Sequence, residues 1–230
     1  TLHLAVGIAP FTKGEISSID LTDVRMLPGV VETLVADDIP GQNDFSPTHS
    51  GDDLVLVDNY VEYFGQPVFC VIAKTYEEAR WAAKRGKIKG KSSRPILNIS
   101  EAIAKENFIS ASHTMKRGDP KNMMKKAKKI VSGSIHVGGQ DHFYLEGQIA
   151  LAIPMESGGV FIQCSSQHPS EVQHNVAKIL DVPAHSIIVE VRRMGGGFGG
   201  KESQPAQWAA LAALAARKTG FPVKCRLDRD

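Results

Sequence analysis

Five of the six residues from 195 to 200 are glycine, and the sixth is Phe198. The stretch reads Arg192-Arg193-Met194-Gly195-Gly196-Gly197-Phe198-Gly199-Gly200-Lys201-Glu202. Glycine loses more backbone entropy on folding than any other residue, so such density implies unusual dihedral angles or very close approach to a ligand. A glycine loop between a strand and a helix can hold an anionic cofactor on its backbone N–H groups. By letter, Gly195, Gly197 and Gly200 fit the G-x-G-x-x-G of dinucleotide-binding folds. That pattern also wants an acidic residue about twenty positions on, and Lys218 to Pro222 supplies none. Gly195, Gly200 and Lys201 equally fit the G-x-x-x-x-G-K of a phosphate loop. Its next residue should be a magnesium-binding Ser or Thr, and here it is Glu202, a carboxylate set against phosphates.

Other chemistry-bearing residues are less suggestive. His136 and His142 stand six apart, as do His168 and His174, and no carboxylate completes a metal spacing. Ser165 and Ser166 precede His168, but without G-x-S-x-G or a nearby acid they do not make a nucleophile. Cys70, Cys164 and Cys225 are scattered, with no C-x-x-C. They read as buried free thiols of a reduced, cytoplasmic protein, without an iron–sulfur or structural zinc site in this chain.

The chain has 230 residues, 42% hydrophobic and 23% charged, enough for one large or two ordinary domains with a substantial core. A formal net charge of +2 argues against nucleic acid or an anionic membrane as partner. No apolar run is long enough to span a bilayer, and none reads as a signal peptide. The chain begins at Thr1 without methionine or a polar tail, which reads as a processed start or an excised piece.

Several elements must position the glycine loop. Thr1 to Pro10 alternates as a strand, with Leu2, Leu4, Val6 and Ile8 on one side. Ile16 to Leu21 is a second alternating run, Asp23 to Leu27 one helical turn, and Val30 to Ala36 another strand. Ile39 to Asp53 reads as an irregular loop. Leu54 to Val57 and Val68 to Ala73 read as strands. Thr75 and Glu78 form a capping box that starts a helix running to about Arg85. The basic stretch Lys84 to Lys91 reads as a solvated helix end and turn. Ser92 to Lys129 reads as a connection, with Ser100 capping a short helix and an amphipathic helix among Lys121 to Ile130. Val131 to Gly139 reads as strand-like. Gln148 to Pro154 and Gly159 to Gln163 form a hairpin around Ser157-Gly158-Gly159. Pro169 opens a helix with Val172, Val176, Ile179 and Leu180 on one stripe. Ile187, Val189 and Val191 form the strand that leads into the glycine loop. Pro205 to Thr219 is a helix buried on most sides, and Val223 to Leu227 begins a strand.

Four stretches together carry a resemblance. Gly65-Gln66-Pro67-Val68, Gly138-Gly139-Gln140-Asp141-His142-Phe143-Tyr144-Leu145-Glu146, Ser165-Ser166-Gln167 and Met194 to Glu202 occur in the order and spacing of molybdenum hydroxylases. The chain resembles the molybdopterin-binding portion of the xanthine dehydrogenase and aldehyde oxidase family along essentially its whole length. The implied fold class is α/β (α+β): an α/β hammerhead domain over 1–110, then the first part of a molybdopterin-binding domain over 111–230. Lys84 to Lys91 and Lys121 to Lys129 are more basic than the family leads one to expect.

On that resemblance, the side-chain amide of Gln167 hydrogen-bonds an oxygen ligand of molybdenum without adding charge, so it contacts the metal's ligand and not the metal. Gly196, Gly197 and Phe198 lie beside the metal and pterin. Glu202 matches the acid that hydrogen-bonds a purine substrate; it can also favour a helix N-terminus. The implied reaction hydroxylates hypoxanthine or xanthine with oxygen from water at a molybdenum–molybdopterin cofactor. Electrons leave through [2Fe-2S] clusters and FAD held in other domains or subunits. The family's glutamate base, substrate arginine and purine-stacking aromatics lie beyond Asp230, so no catalytic residue is expected here and the chain alone is expected to be inactive. The expected partners are a purine, the remainder of the molybdopterin subunit, the iron–sulfur and FAD parts, and a second copy in a dimer. Two alternatives stay open: an aldehyde oxidase-type hydroxylase, and an inactive remnant kept for assembly.

Overall fold

Leu2, Leu4 and Val6 alternate with His3, Ala5 and Gly7, a period of two that gives an extended chain two different faces. In a computed structural model, which describes residues 1–48, 51–156 and 158–228, this run is strand β1 (Leu2–Ile8). β2 (Gly14–Asp20) follows, and then the helical turn α1 (Thr22–Arg25). β3 (Val30–Leu34) leads through a 3-10 turn into the irregular segment expected over 39–53, of which residues 49 and 50 lie outside the described residues. β4 (Tyr60–Val61) is short, whereas β5 (Pro67–Ala73) is buried along its whole length. α2 (Tyr76–Ala83) starts at the expected capping box: Glu78 N donates to Thr75 Oγ1 at 3.2 Å, and Thr75 N donates to Glu78 Oε2 at 3.0 Å. β6 (Lys87–Ser92) closes the first part of the chain.

The second part begins with α3 (Ile99–Ala104) and α4 (Pro120–Lys126). The hairpin β7 (Ile149–Pro154) and β8 (Val160–Cys164) is antiparallel as expected, although Ser157 in its turn lies outside the described residues. α5 (Pro169–Ile179) starts on its proline and buries Val172, Val176 and Ile179. β9 (Ile187–Glu190), α6 (Gln204–Thr219) and β10 (Val223–Arg226) complete the order.

Seven strands form one sheet in the order β3-β5-β1-β10-β7-β8-β9, and β4-β2-β6 form a smaller one. β1 pairs with β10 in parallel, Leu4 opposite Cys225, and β8 pairs with β9 in parallel. The larger sheet therefore draws strands from both ends of the sequence. Residues 1–94 and those from His142 onward make one compact unit, and Pro95–Asp141 make a second. In the first unit, α6 buries Ala209, Ala210, Leu211, Ala213 and Leu214 in the main core. Alanine side chains let such a helix approach a sheet closely, and each fully buried leucine contributes about 2 kcal/mol. A second core holds Val24, Phe69, Val71 and Ala82.

Five local expectations are corrected. Leu54 to Val57 is not a strand, although Val55, Leu56 and Val57 are buried and Leu54 is half-buried. Its polar backbone is satisfied elsewhere: Leu56 N donates to Asn43 Oδ1 at 3.0 Å, Asn43 Nδ2 to Leu56 O at 2.7 Å, and Val57 N to Pro67 O at 2.8 Å. The basic stretch after α2 is not a turn throughout; Lys87–Ser92 is a strand because β2 offers it a full ladder, with Ile88 opposite Ile19. In the unit formed by residues 95–141, α3 is capped by Asn98 and not by Ser100, with Glu101 N donating to Asn98 Oδ1 at 2.8 Å. In the same unit, α4 is shorter than its lysine spacing suggested, is capped by Asp119, and leaves Met123 and Met124 exposed. Val131 to Gly139 forms no strand; among the described residues that unit contains no strand with which it can pair.

Candidate functional site

The glycine stretch follows β9 as irregular backbone and turns into the approach to α6. Gly196 and Gly199 have φ of 99° and 93°, and Gly200 N donates to Gly197 O at 2.8 Å. Phe198 has φ 52°, a left-handed conformation that costs a side-chain-bearing residue about 1–2 kcal/mol. Its ring is 77% exposed, so burial of the ring does not offset that cost.

The crowding behind the loop explains several of the glycines. A Cβ at residue 197 would overlap the side-chain amide of Gln167. At residue 195 it would lie 2.5 Å from the Glu146 Cβ, and at residue 200 it would lie 2.6 Å from the Tyr144 ring and 2.9 Å from His142. The close approach inferred from the composition is therefore, at these three positions, an approach to the protein's own side chains.

Gln167 lies between β8 and α5 and is fastened to the loop at three points. Its backbone N donates to Lys201 O at 2.7 Å. Its Oε1 accepts from Gly199 N at 3.0 Å and from Lys201 N at 3.3 Å. The carbonyl half of the amide is thus occupied by the loop, and what the exposed side chain has left to offer is its NH2 group.

Beneath the loop sits a charged cluster that the sequence did not single out. Lys201 is 0% exposed. Its Nζ donates to Glu146 Oε2 at 2.9 Å and to Ser165 Oγ at 2.8 Å, and lies 4.6 Å from the centre of the Tyr144 ring. The same Glu146 oxygen accepts from Ser165 Oγ and from Gly195 N, the latter at 2.9 Å. Partial burial works against ionisation of Glu146, but hydrogen bonds from Ser165, Gly195 and Lys201 outweigh it and hold the carboxyl below its ordinary range. Gln148 Nε2 donates to Tyr144 Oη at 2.8 Å and to Gly200 O at 2.9 Å. Glu146 and Lys201 each belong to a quoted motif, yet only the fold brings them together.

Of the expected site residues, Gln167 and Gly197 are in contact, and Gly196 and Phe198 flank that contact along the loop. Glu202 is exposed just after Lys201; its N–H donates to Gln204 Oε1 at 3.1 Å, and among the described residues its side chain takes no part in the Gln167 network. Ser165 is buried and engaged with Glu146, which does not suit a nucleophile. Burial pushes the Cys164 thiol up to about 11 and Cys225 to about 12, and raises Cys70 too, so all three stay protonated near neutrality.

Among the described residues, no group of three or more His, Cys, Asp or Glu side chains could hold a metal ion. What the site does offer is neutral side-chain and backbone groups of the kind that would hold an organic cofactor. The residues fit such a group: a neutral amide with its NH2 uncommitted to the loop, a glycine backbone without side chains in the way, and an exposed aromatic ring beside them.

Residues 101–230 match the molybdopterin cofactor-binding domain, and residues 1–92 match the a/b hammerhead domain of aldehyde oxidase and xanthine dehydrogenase. The chain belongs to the molybdenum hydroxylase family that contains xanthine dehydrogenases and aldehyde oxidases. It is 39% identical over 230 residues to xanthine dehydrogenase/oxidase of Gallus gallus and 38% identical over 231 residues to aldehyde oxidase 2 of Rattus norvegicus. Each alignment covers 100% of this chain and 17% of the relative, so the chain spans about a sixth of their length. Among solved structures, the aldehyde oxidoreductase of Desulfovibrio gigas superposes with a TM-score of 0.82 at 26% identity, over 99% of this chain and 27% of that one.

Proposed function

We propose that this chain forms one wall of the molybdenum-cofactor site of a xanthine dehydrogenase-like hydroxylase that oxidises hypoxanthine and xanthine, in the chemistry of purine catabolism. The observation that carries this reading is the state of Gln167. With Oε1 held by the Gly199 and Lys201 amides, the group can act only as a neutral N–H donor toward the cofactor. Such a donor would hold an oxygen of the bound cofactor without altering the local charge. Bound there, the cofactor supplies transfer of oxygen from water and uptake of the substrate's electrons.

The chain's own residues bind and orient. Gly196 would leave backbone free to approach a bound pterin, Gly197 makes room for the Gln167 amide that would face it, and the exposed Phe198 ring would offer an apolar edge beside it. Glu202 accepts hydrogen bonds from the N–H groups of a purine ring. The near-equal identities to a xanthine dehydrogenase/oxidase and an aldehyde oxidase do not separate the two substrates; the carboxylate at residue 202 favours the purine. The division near residue 110, the general base outside residues 1–230, and electron transfer to [2Fe-2S] and FAD in other domains or subunits belong to the same reading. So does a dimeric assembly. The three buried free cysteines support a reducing, cytoplasmic setting.

Replacement of Gln167 by Ala in the full-length protein tests this. Molybdenum content or xanthine turnover should fall by about 10–100-fold. A folded variant that keeps both at parental levels removes Gln167 from the cofactor site and overturns the reading.

A further inference from the structure

We propose that Glu146 and Lys201 are positioning residues, a clamp with one buried end that sets the direction in which Gln167 offers its amide. This rests on the reading above for what the amide faces; the clamp itself stands on geometry.

Lys201 reaches the Gln167 segment twice. Its side chain donates to Ser165 Oγ, while its backbone N–H and C=O bond the side chain and main chain of Gln167. Glu146 holds the other end of the loop, accepting from Gly195 N at 2.9 Å and donating its own N–H to Gly195 O at 3.3 Å. The ion pair between them, at 2.9 Å, thus ties residue 195 to residue 201 and closes the glycine stretch into a ring. Ser165 joins that ring to the strand end from which Gln167 emerges. Inside it, Gly197 lies against the amide and the Gly199 N–H grips its oxygen, so the NH2 group has one direction left.

A role in folding alone does not account for this choice of residues. With Lys201 fully buried and Glu146 partly so, the pair gives up solvation that an apolar pair of similar volume would not, and such a replacement is often neutral or stabilising. What directional, charge-assisted hydrogen bonds add is a single geometry. The loop needs that, because five glycines leave it many alternatives.

The test uses the full-length, cofactor-loaded protein and three variants: Glu146→Gln, Lys201→Met and the two combined. Hydrogen–deuterium exchange across residues 195–201, molybdenum content, and kcat and KM for xanthine are measured for each. Lys201→Met should speed exchange in the loop and lower kcat by about tenfold or more, as the loss of an orienting partner does. KM should stay within about twofold, because substrate binding does not depend on the clamp. A folded Lys201→Met protein with parental exchange, molybdenum content and kcat overturns the proposal.

If a single variant does not fold, the combined variant, which leaves neither charge without its partner, decides. Folded with a loosened loop and low kcat, it supports the clamp; folded with parental values, it overturns it. Gln167→Ala separates the two proposals. If Lys201→Met loosens the loop while Gln167→Ala alters neither molybdenum content nor turnover, the clamp stands and the cofactor reading fails.

Discussion

Gly197 lies flush against the side-chain amide of Gln167, with no room between them for a methyl group. The contact joins the turn before α5 to the turn before α6. Gly197→Ala should therefore drive the amide off the Gly199 and Lys201 N–H groups. Overpacking together with two weakened hydrogen bonds should cost about 1–3 kcal/mol, measurable as a lower denaturant midpoint. Cofactor content should fall in parallel. An unchanged midpoint would mean that Gln167 is free to move aside.

Glu202 is exposed and stands apart from that network, so its substitution should spare the fold. In the full-length protein, Glu202→Val should lower kcat/KM for xanthine by about tenfold or more, the loss of a hydrogen bond to a charged group being worth about 1.5–3 kcal/mol. Turnover of an aromatic aldehyde should change much less. Equal losses on both substrates would count against a purine contact.

The irregular segment after β3 is held to α5 by Asp44 and Lys178, 2.8 Å apart. Burial of Asp44 opposes its ionisation, but hydrogen bonds from Lys178 and Ser46 outweigh it and bring the carboxyl down to about 2 from 3.8. The folded state then binds fewer protons than the unfolded one between those values. The stabilisation is present above about pH 4 and is lost as the pH falls through about 2; with Lys178 partly exposed, it amounts to about 1–2 kcal/mol. Lys178→Met should flatten the acid limb of a stability–pH curve. A curve of unchanged steepness would place the acid sensitivity elsewhere.

Phe69 fills the second core with its ring between Gly7 and Gly86, and neither position accommodates a Cβ. Gly7→Ala should destabilise the protein by about 1–3 kcal/mol. Phe69→Leu added to it should recover part of the loss, a coupling that a double-mutant cycle of thermal or denaturant unfolding measures. Strict additivity would show that the ring is not what excludes the methyl group.

Local signals in the sequence were strong where one residue type decides the outcome. The Thr75–Glu78 box, Pro169 and the Ala-rich run of α6 each act within a turn or two, and each marks its element correctly. β6 was hidden because Ile88 is its only large apolar residue, and the strand exists through pairing with β2. Leu54 to Val57 misled for the opposite reason: an apolar run long enough for a strand spends its hydrogen bonds on Asn43 and Pro67. In the site, Gln167 and the glycine loop were recognisable from their motifs. The Glu146–Lys201 pair was not, since nothing local in either residue announces a partner 55 positions away.

The parallel pairing of β1 with β10 places the first strand of the chain in the middle of the larger sheet, between β5 and β10. The link from Arg94 to His142 contributes no strand to either sheet. A polypeptide cut once within that link would keep both sheets intact, with the ladder of Leu2–Leu4 against Val223–Cys225 joining its two pieces. Conversely, residues 1–92 made alone would present β1 as a raw edge, stripped of the neighbour that Val223 to Cys225 provides. The two family segments are successive in sequence but woven together in space, and they should be inherited, expressed and unfolded as one fabric.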